Sequence, residues 1–482
     1  MTDLTELTAV RLADGYRTGV LGPVEVTRAV LERSRRLRPE GDADGGPTGE
    51  EAVARARESQ ERWGRGEPRG PLDGVPVTVG DALPVRGRPA PRGPRSLAPE
   101  GPWDEDAPAV ARLREQGAVL VGGTTAPEYG GKAVPGASPA GGARNPYDPS
   151  RTVGGPAGDA AAAVALGAGP LALAADAGGG VRGPAAFCGV LGTKPTHGRV
   201  PLYPASPFGS LAHVGTLARD AADAALLLDV VGVPDARDGS APGPAPGSFA
   251  GALAEGVRGL RVAYSPTLGG QVAVDPAVAT AVRRAVEGLA GLGAWVVEAD
   301  PDFADPVAAF ETLWSCGAAR AAQRLGAARR EELDPALREL CRQGAARSAL
   351  DYLAAVDAQT ELGRRMSLFH ETYDLLVTPT VPVTAFEAGA EAPRGPGRRG
   401  WTGWTGWTPF TYPFDLTGQP AVTVPVGTDG AGLPVGLQLV AARHHDALPL
   451  RAAHVLHEAG LAGTPPLPGG AARGGRPVAV GG

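Results

Sequence analysis

Residues 3–39 carry apolar positions at helical spacing and read as two helices broken at Gly22-Pro23. The second, Val24–Leu37, is amphipathic, with arginines along its outer face. A Gly/Asp-rich loop at 40–50 leads to a third helix over 51–63. The period then changes: Val75–Val79 alternates and turns, which predicts a buried strand running into a loop. Pro108–Gln116 predicts a helix whose proline is tolerated in the first turn, followed by a strand at Ala118–Val121. Residues 131–157 hold many glycines and prolines and no period, so a long loop is expected there. Long loops inside compact domains are commonly functional. A helix over Asp159–Ala168, a strand over Leu171–Ala175, a run of glycines and a helix over Asp220–Val231 follow.

Residues 235–257 are Pro/Gly/Ala-rich and expected to be exposed. Alternation resumes with a strand at Leu260–Tyr264, a helix at Pro276–Leu292 and a strand at Ala294–Glu298. A largely helical run over 305–372 precedes strands at Asp374–Thr378, Ala421–Val426 and Leu437–Val440, then a helix at Ala447–Ala459 and a Gly/Pro tail. Strands alternating with helices predict an α/β fold with a helix-covered sheet. Periodicity gives no strand order.

Composition narrows the function classes. A chain of 482 residues with 43% hydrophobic content can bury a large core, and a net charge of −6 argues against nucleic-acid binding. No run approaches the roughly 18 apolar residues of a membrane span. The N-terminus, Met1–Glu6, is too polar for a signal peptide. Cys188, Cys316 and Cys341 suit reduced thiols and suggest neither a disulfide framework nor a zinc site. His444-His445 likewise lacks metal-binding spacing. The expectation is a cytoplasmic protein without cofactor or metal, contacting neither membrane nor nucleic acid. Of 46 basic residues only Lys132 and Lys194 are lysines, a pattern that matches high-GC bacterial coding. Such a bias turns lysine into arginine, not into glycine.

Three segments carry the chemical signal: Val75-Pro76-Val77-Thr78-Val79-Gly80-Asp81, Gly154-Gly155-Pro156-Ala157-Gly158 and Gly178-Gly179-Gly180-Val181-Arg182-Gly183-Pro184. Around them stand Gly70-Pro71-Leu72-Asp73-Gly74, Arg144-Asn145-Pro146-Tyr147-Asp148-Pro149, Gly192-Thr193-Lys194-Pro195-Thr196 and Leu416-Thr417-Gly418-Gln419-Pro420. In this order the segments resemble the amidase-signature family, most densely over 70–220 and again over 410–460. The resemblance implies one amidase-like domain, α/β/α in architecture, with a mixed twisted central sheet covered by helices on both faces. Its expected parts are N-terminal helices (1–69), a signature core (70–234), a variable helical region (235–410), core strands with a helix (411–465) and a flexible tail (466–482).

The resemblance also implies a Lys–Ser–Ser relay, in which a neutral lysine deprotonates a bridging serine that deprotonates the nucleophile, with loop N–H groups holding the oxyanion. Here those positions are Gly80, Pro156 and Gly180. The frame is present and the reacting groups are not. The family's bridging serine follows a cis peptide bond, so a cis Gly155–Pro156 bond is expected, an X–Pro bond making it cheaper by about 2 kcal/mol. The loop N–H groups of residues 177–180 are expected to face a roomier, less polar pocket. Ligand-binding candidates are Ala177, Gly178, Gly179, Gly180, Tyr129, Thr152 and Ala157, supported by Asp81, Asp176 and Arg182.

Rival readings carry less. Gly178-x-Gly180-x-x-Gly183 satisfies a dinucleotide fingerprint, yet no acidic residue stands between Asp176 and Asp220 where a ribose contact is needed. The repeat Trp401-Thr402-Gly403-Trp404-Thr405-Gly406-Trp407 either lines an aromatic mouth or covers an apolar patch. Three functions fit the sequence. One is a pseudoenzyme holding a small molecule. Another is an enzyme of secondary metabolism with reassigned non-hydrolytic chemistry (cyclisation, elimination or condensation), using Asp81, Tyr129, His197 or His213 to move protons. The third is a non-catalytic subunit of an amidotransferase-like complex. A homodimer or protein partner is compatible with each.

Overall fold

The computed structural model describes residues 3–37, 49–88, 102–124, 143–325, 327–394 and 403–468. Ten strands form one sheet among them: β1 (Pro76–Gly80), β2 (Val119–Thr124), β3 (Leu171–Asp176), β4 (Leu191–Lys194), β5 (His213–Ala218), β6 (Arg261–Tyr264), β7 (Trp295–Glu298), β8 (Leu375–Pro379), β9 (Ala421–Thr428) and β10 (Pro434–Ala441). The order across the sheet is β2-β1-β3-β5-β4-β9-β10-β8-β6-β7. The two ends pair parallel (β1 with β2 and β3, β6 with β7 and β8), while the centre from β3 to β8 pairs antiparallel. The sheet is therefore mixed, as the resemblance implies.

Strand alternation divides the core into two layers, because successive side chains point to opposite faces. In β3, Leu171 and Leu173 join one cluster and Ala172 and Ala174 another. In β10, Leu437 and Leu439 join the first and Val440 lies opposite. The first face is covered by the N-terminal helices and by Ala221–Val231, Pro276–Gly291 and Ala447–Glu458. The second is covered by Gly158–Leu166, Arg182–Cys188, Val307–Gln323 and Ala349–Thr372. Alanines at 172 and 174 allow the alanine-rich helix Gly158–Leu166 to pack against β3.

Elements between 182 and 219 escape the periodic reading. Helix Arg182–Cys188 is masked in the sequence by Gly183-Pro184, although a proline there falls in the first turn, where no backbone donor is needed. Strands β4 and β5 bury Thr193, Lys194, His213 and Thr216 at 2% exposure or less, so their polar letters read as loop.

The expectation at Gly155–Pro156 is corrected: the bond is trans, and the cis bond among the described residues is Tyr203–Pro204. The turn is made instead by glycine torsions, φ +86° at Gly154 and φ +143° at Gly155, which a side chain would resist. At Gly154 a Cβ would also meet Phe187 Cδ2 at 2.5 Å.

Candidate functional site

β1, β3 and the first turn of helix Gly158–Leu166 converge where the three chemically degenerate positions stand. Gly80 closes β1, and a Cβ there would sit 3.6 Å from the Ala174 Cβ of β3. Ala157 donates its N–H to the Gly180 carbonyl at 3.1 Å, and a Cβ on Gly180 would lie 3.7 Å from Pro156 Cγ. All three positions line one cavity of ≈ 160 Å³. Ala157, Ala177, Gly178, Gly179 and Asp81 share its wall, and Phe208, Trp314, Trp404 and Arg324 also line it.

The glycine loop is organised from behind by Asp176, which is fully buried. Its Oδ1 accepts N–H groups from Gly179 (2.7 Å), Gly180 (3.1 Å) and, at longer range, Gly178 (3.4 Å). Its Oδ2 accepts those of Val181 (3.1 Å) and Arg182 (3.3 Å). The expectation that this loop offers its donors to the pocket is corrected for Gly178, Gly179 and Gly180: a buried carboxylate needs donors, and the loop supplies them. The fully buried Arg182 grips Asp176 through Nε and Nη2 (both 3.0 Å). It also donates to Asp415, to Gln438 Oε1 (3.0 Å) and to the Thr411 carbonyl (2.9 Å). Burial works against ionisation of Asp176, yet the guanidinium, Lys194 and the loop amides hold its carboxyl well below the usual carboxylate range. Burial holds Asp415 well above that range, against the pull of Arg182. Asp176 and Arg182 therefore act as a structural ion pair beneath the cavity.

Lys194 lies in the same buried cluster, donating to the Pro195 carbonyl (3.3 Å) and the Gln419 carbonyl. Burial pushes its ammonium down to about 7 from 10.5. Between those two values the unfolded chain carries a proton that the native protein lacks, so native stability rises with pH across the window. Urea midpoints taken from pH 7 to 10 are expected to climb for the wild type relative to Lys194→Met. A pH-independent difference between the two proteins would show that Lys194 stays charged when folded.

The other sequence candidates divide. Thr152 is buried and off the cavity lining; its hydroxyl accepts the Gly154 N–H at 3.1 Å and so braces the loop. Tyr129 lies outside the described residues. His197 and His213 pack ring to ring at 5.2 Å, and neither lines the cavity. His213 is buried, with Nδ1 at 2.9 Å from the Leu211 carbonyl, and burial and the nearby Lys194 keep it neutral. Neither imidazole reaches the site as a proton carrier. The tryptophan repeat splits between its two readings. Trp404 lines the cavity, while Trp407 is fully buried and stacks on Phe187 at 5.6 Å. Trp401 lies outside the described residues. Gly178 makes room for Trp404: a Cβ there would come within 2.7 Å of the indole.

Sequence reasoning missed Phe208, Trp314 and Arg324. Phe208 sits in the 202–208 stretch, Trp314 midway along the helix Val307–Gln323 and Arg324 just past its end, with no motif to mark them. Gly80, Pro156 and Gly180 supply no hydroxyl and no amine, so the three positions of the Lys–Ser–Ser relay carry no reacting group. Among the described residues no cluster of three metal-binding side chains occurs, and no helix is long and apolar enough to cross a membrane.

Comparison with known proteins agrees with this frame. The amidase family profile matches residues 25–450. An acylamidase from Rhodococcus erythropolis is 34% identical over 451 residues, covering 93% of this chain and 94% of the relative. The A-type subunit of the glutamyl-tRNA(Gln) amidotransferase from Chloroflexus aggregans is 34% identical over 490 residues, covering 94% and 96%. Among solved structures, 6-aminohexanoate cyclic dimer hydrolase with its substrate superposes at TM-score 0.84 with 31% identity, covering 95% of this chain and 98% of that one.

Proposed function

The chain belongs to the amidase signature family, and we propose that it is a pseudoenzyme, holding a small molecule in the pocket where its relatives' chemistry would lie, without hydrolysing an amide. One observation carries this reading: positions 80, 156 and 180 meet on the wall of a single cavity, and none bears a reacting group. A cavity with apolar walls and few polar groups is the usual form of a small-molecule site. Aromatic side chains from distant segments line it, which supports retention of a binding role.

The test is capture of metabolites from host extract, read by mass spectrometry. The wild type is expected to retain a specific small molecule that Gly180→Trp loses. Because a Cβ at 180 would press on the Ala175 carbonyl at 3.0 Å, Ala205→Trp, at an exposed position of the lining, serves as a second block. Identical metabolite profiles for wild type and both variants would defeat the reading. A captured molecule that changes on incubation would instead favour the reassigned-enzyme alternative.

A second reading is a non-catalytic subunit of an amidotransferase-like complex. It is favoured by the full-length likeness to the A-type subunits of amidotransferases. Co-purification of a partner at fixed stoichiometry would support it.

A further inference from the structure

We propose that the pocket selects a small aromatic carboxylic acid, its ring against the Trp404–Trp314–Phe208 wall and its carboxylate on Arg324. This rests on the ligand-holding reading above and specifies the ligand class.

Size comes first. The cavity measures ≈ 160 Å³, and an apolar cavity of about 150 Å³ takes one benzene-sized ring. Shape agrees. Phe208 and Trp314 stack at 4.2 Å, and Trp404 meets Trp314 edge-on at 5.3 Å. Such a wall offers both faces and edges, and an aromatic guest can adopt the offset or edge-to-face contacts that ring pairs prefer.

Charge follows from the two ionisable residues of the lining, Asp81 and Arg324. Asp81 has an interaction partner within the protein. Arg324 has none: it is exposed, and no hydrogen bond or ion pair engages its guanidinium among the described residues. The guanidinium fork matches a carboxylate bidentately, which neither an amide nor an amine can reproduce. Arg324 caps the helix Val307–Gln323 in a helical conformation, ten residues after Trp314, a rise of about 15 Å. Its side chain lines the same cavity as Phe208, Trp314 and Trp404.

The experiment titrates the full chain with benzoate, phenylacetate, benzamide and hexanoate by ligand-observed NMR and calorimetry. Benzoate or phenylacetate is expected to saturate one site. Benzamide and hexanoate should bind at least about tenfold more weakly, the size of one charge-assisted bidentate contact or one stacked ring. Arg324→Gln should weaken the aromatic acids about tenfold or more, Arg324→Lys should recover part of that loss, and Ala205→Trp should abolish binding. Benzamide matching benzoate, with Arg324→Gln silent, would overturn the carboxylate assignment. Hexanoate matching benzoate would overturn the aromatic one. If neither acid binds while a different metabolite is captured from extract, this ligand class fails and the pocket reading stands. If no metabolite is captured either, both fail together.

Discussion

Purified protein is expected to leave simple amides and anilides intact, with turnover about 10⁶-fold below that of an intact relative assayed beside it, the scale of losing a whole triad. The relay needs an amine at position 80 and hydroxyls at 156 and 180, where the chain has Gly80, Pro156 and Gly180. The Gly179 and Gly180 amides, which would otherwise remain as oxyanion donors, are engaged by Asp176. Reinstating the side chains together, as Gly80→Lys, Pro156→Ser and Gly180→Ser, is expected to return only a small part of the missing rate. A Cβ at 80 would stand 3.2 Å from the Leu173 carbonyl oxygen and one at 180 would stand 3.0 Å from that of Ala175. Both obstacles are backbone, which gives way less readily than a side-chain tip. Product release followed by mass spectrometry decides the matter. Wild-type turnover within about a hundredfold of the relative would sink the non-hydrolytic reading, because the protein would then possess a nucleophile that positions 80, 156 and 180 do not supply.

The largest stability loss from a single substitution is expected at Asp176. Asp176→Ala strips the acceptor from the loop amides at 179–182 and leaves the fully buried Arg182 with the raised carboxyl of Asp415 as its remaining acidic neighbour. Breaking one side of a buried ion pair costs about 3–5 kcal/mol, mostly from the stranded charge. Urea denaturation should show that loss as a lower midpoint. Asp176→Ala combined with Arg182→Met should recover part of it, since the uncompensated guanidinium is gone. A double variant no more stable than Asp176→Ala alone would mean that the loop amides, and not the charge, carry the cost. The distinction bears on function, because the same loop forms the cavity wall at residues 177–180.

Much of the architecture is readable from the letters where burial is apolar. Leu171–Ala175 and Ala421–Val426 announce strands, and both lie within observed ones, because strands covered on both faces are continuous apolar runs. The pattern fails where buried positions are polar. Thr193, Lys194 and His213 are buried inside strands; Lys194 donates to the Gln419 carbonyl, a partner that no local window contains, while His213 meets the Leu211 carbonyl two residues away. Helix Arg182–Cys188 hides for another reason, since its Gly183-Pro184 reads as a breaker until the register of the first turn is known.

Position-by-position chemistry is a property of the sequence alone: a glycine has no hydroxyl wherever it folds, so the absence of the relay at 80, 156 and 180 follows from the letters and their spacing. Direction and proximity belong to the fold. Whether the loop amides face a ligand or a buried carboxylate depends on Asp176 lying behind them. Whether Gly155–Pro156 is cis depends on the torsions available to its glycine neighbours. Phe208, Trp314, Arg324 and Trp404 come to line one cavity only when segments far apart in the chain are brought together by the fold. Local sequence encodes which groups exist and the period in which they repeat, while hydrogen-bond partners and cavity walls are set by long-range packing.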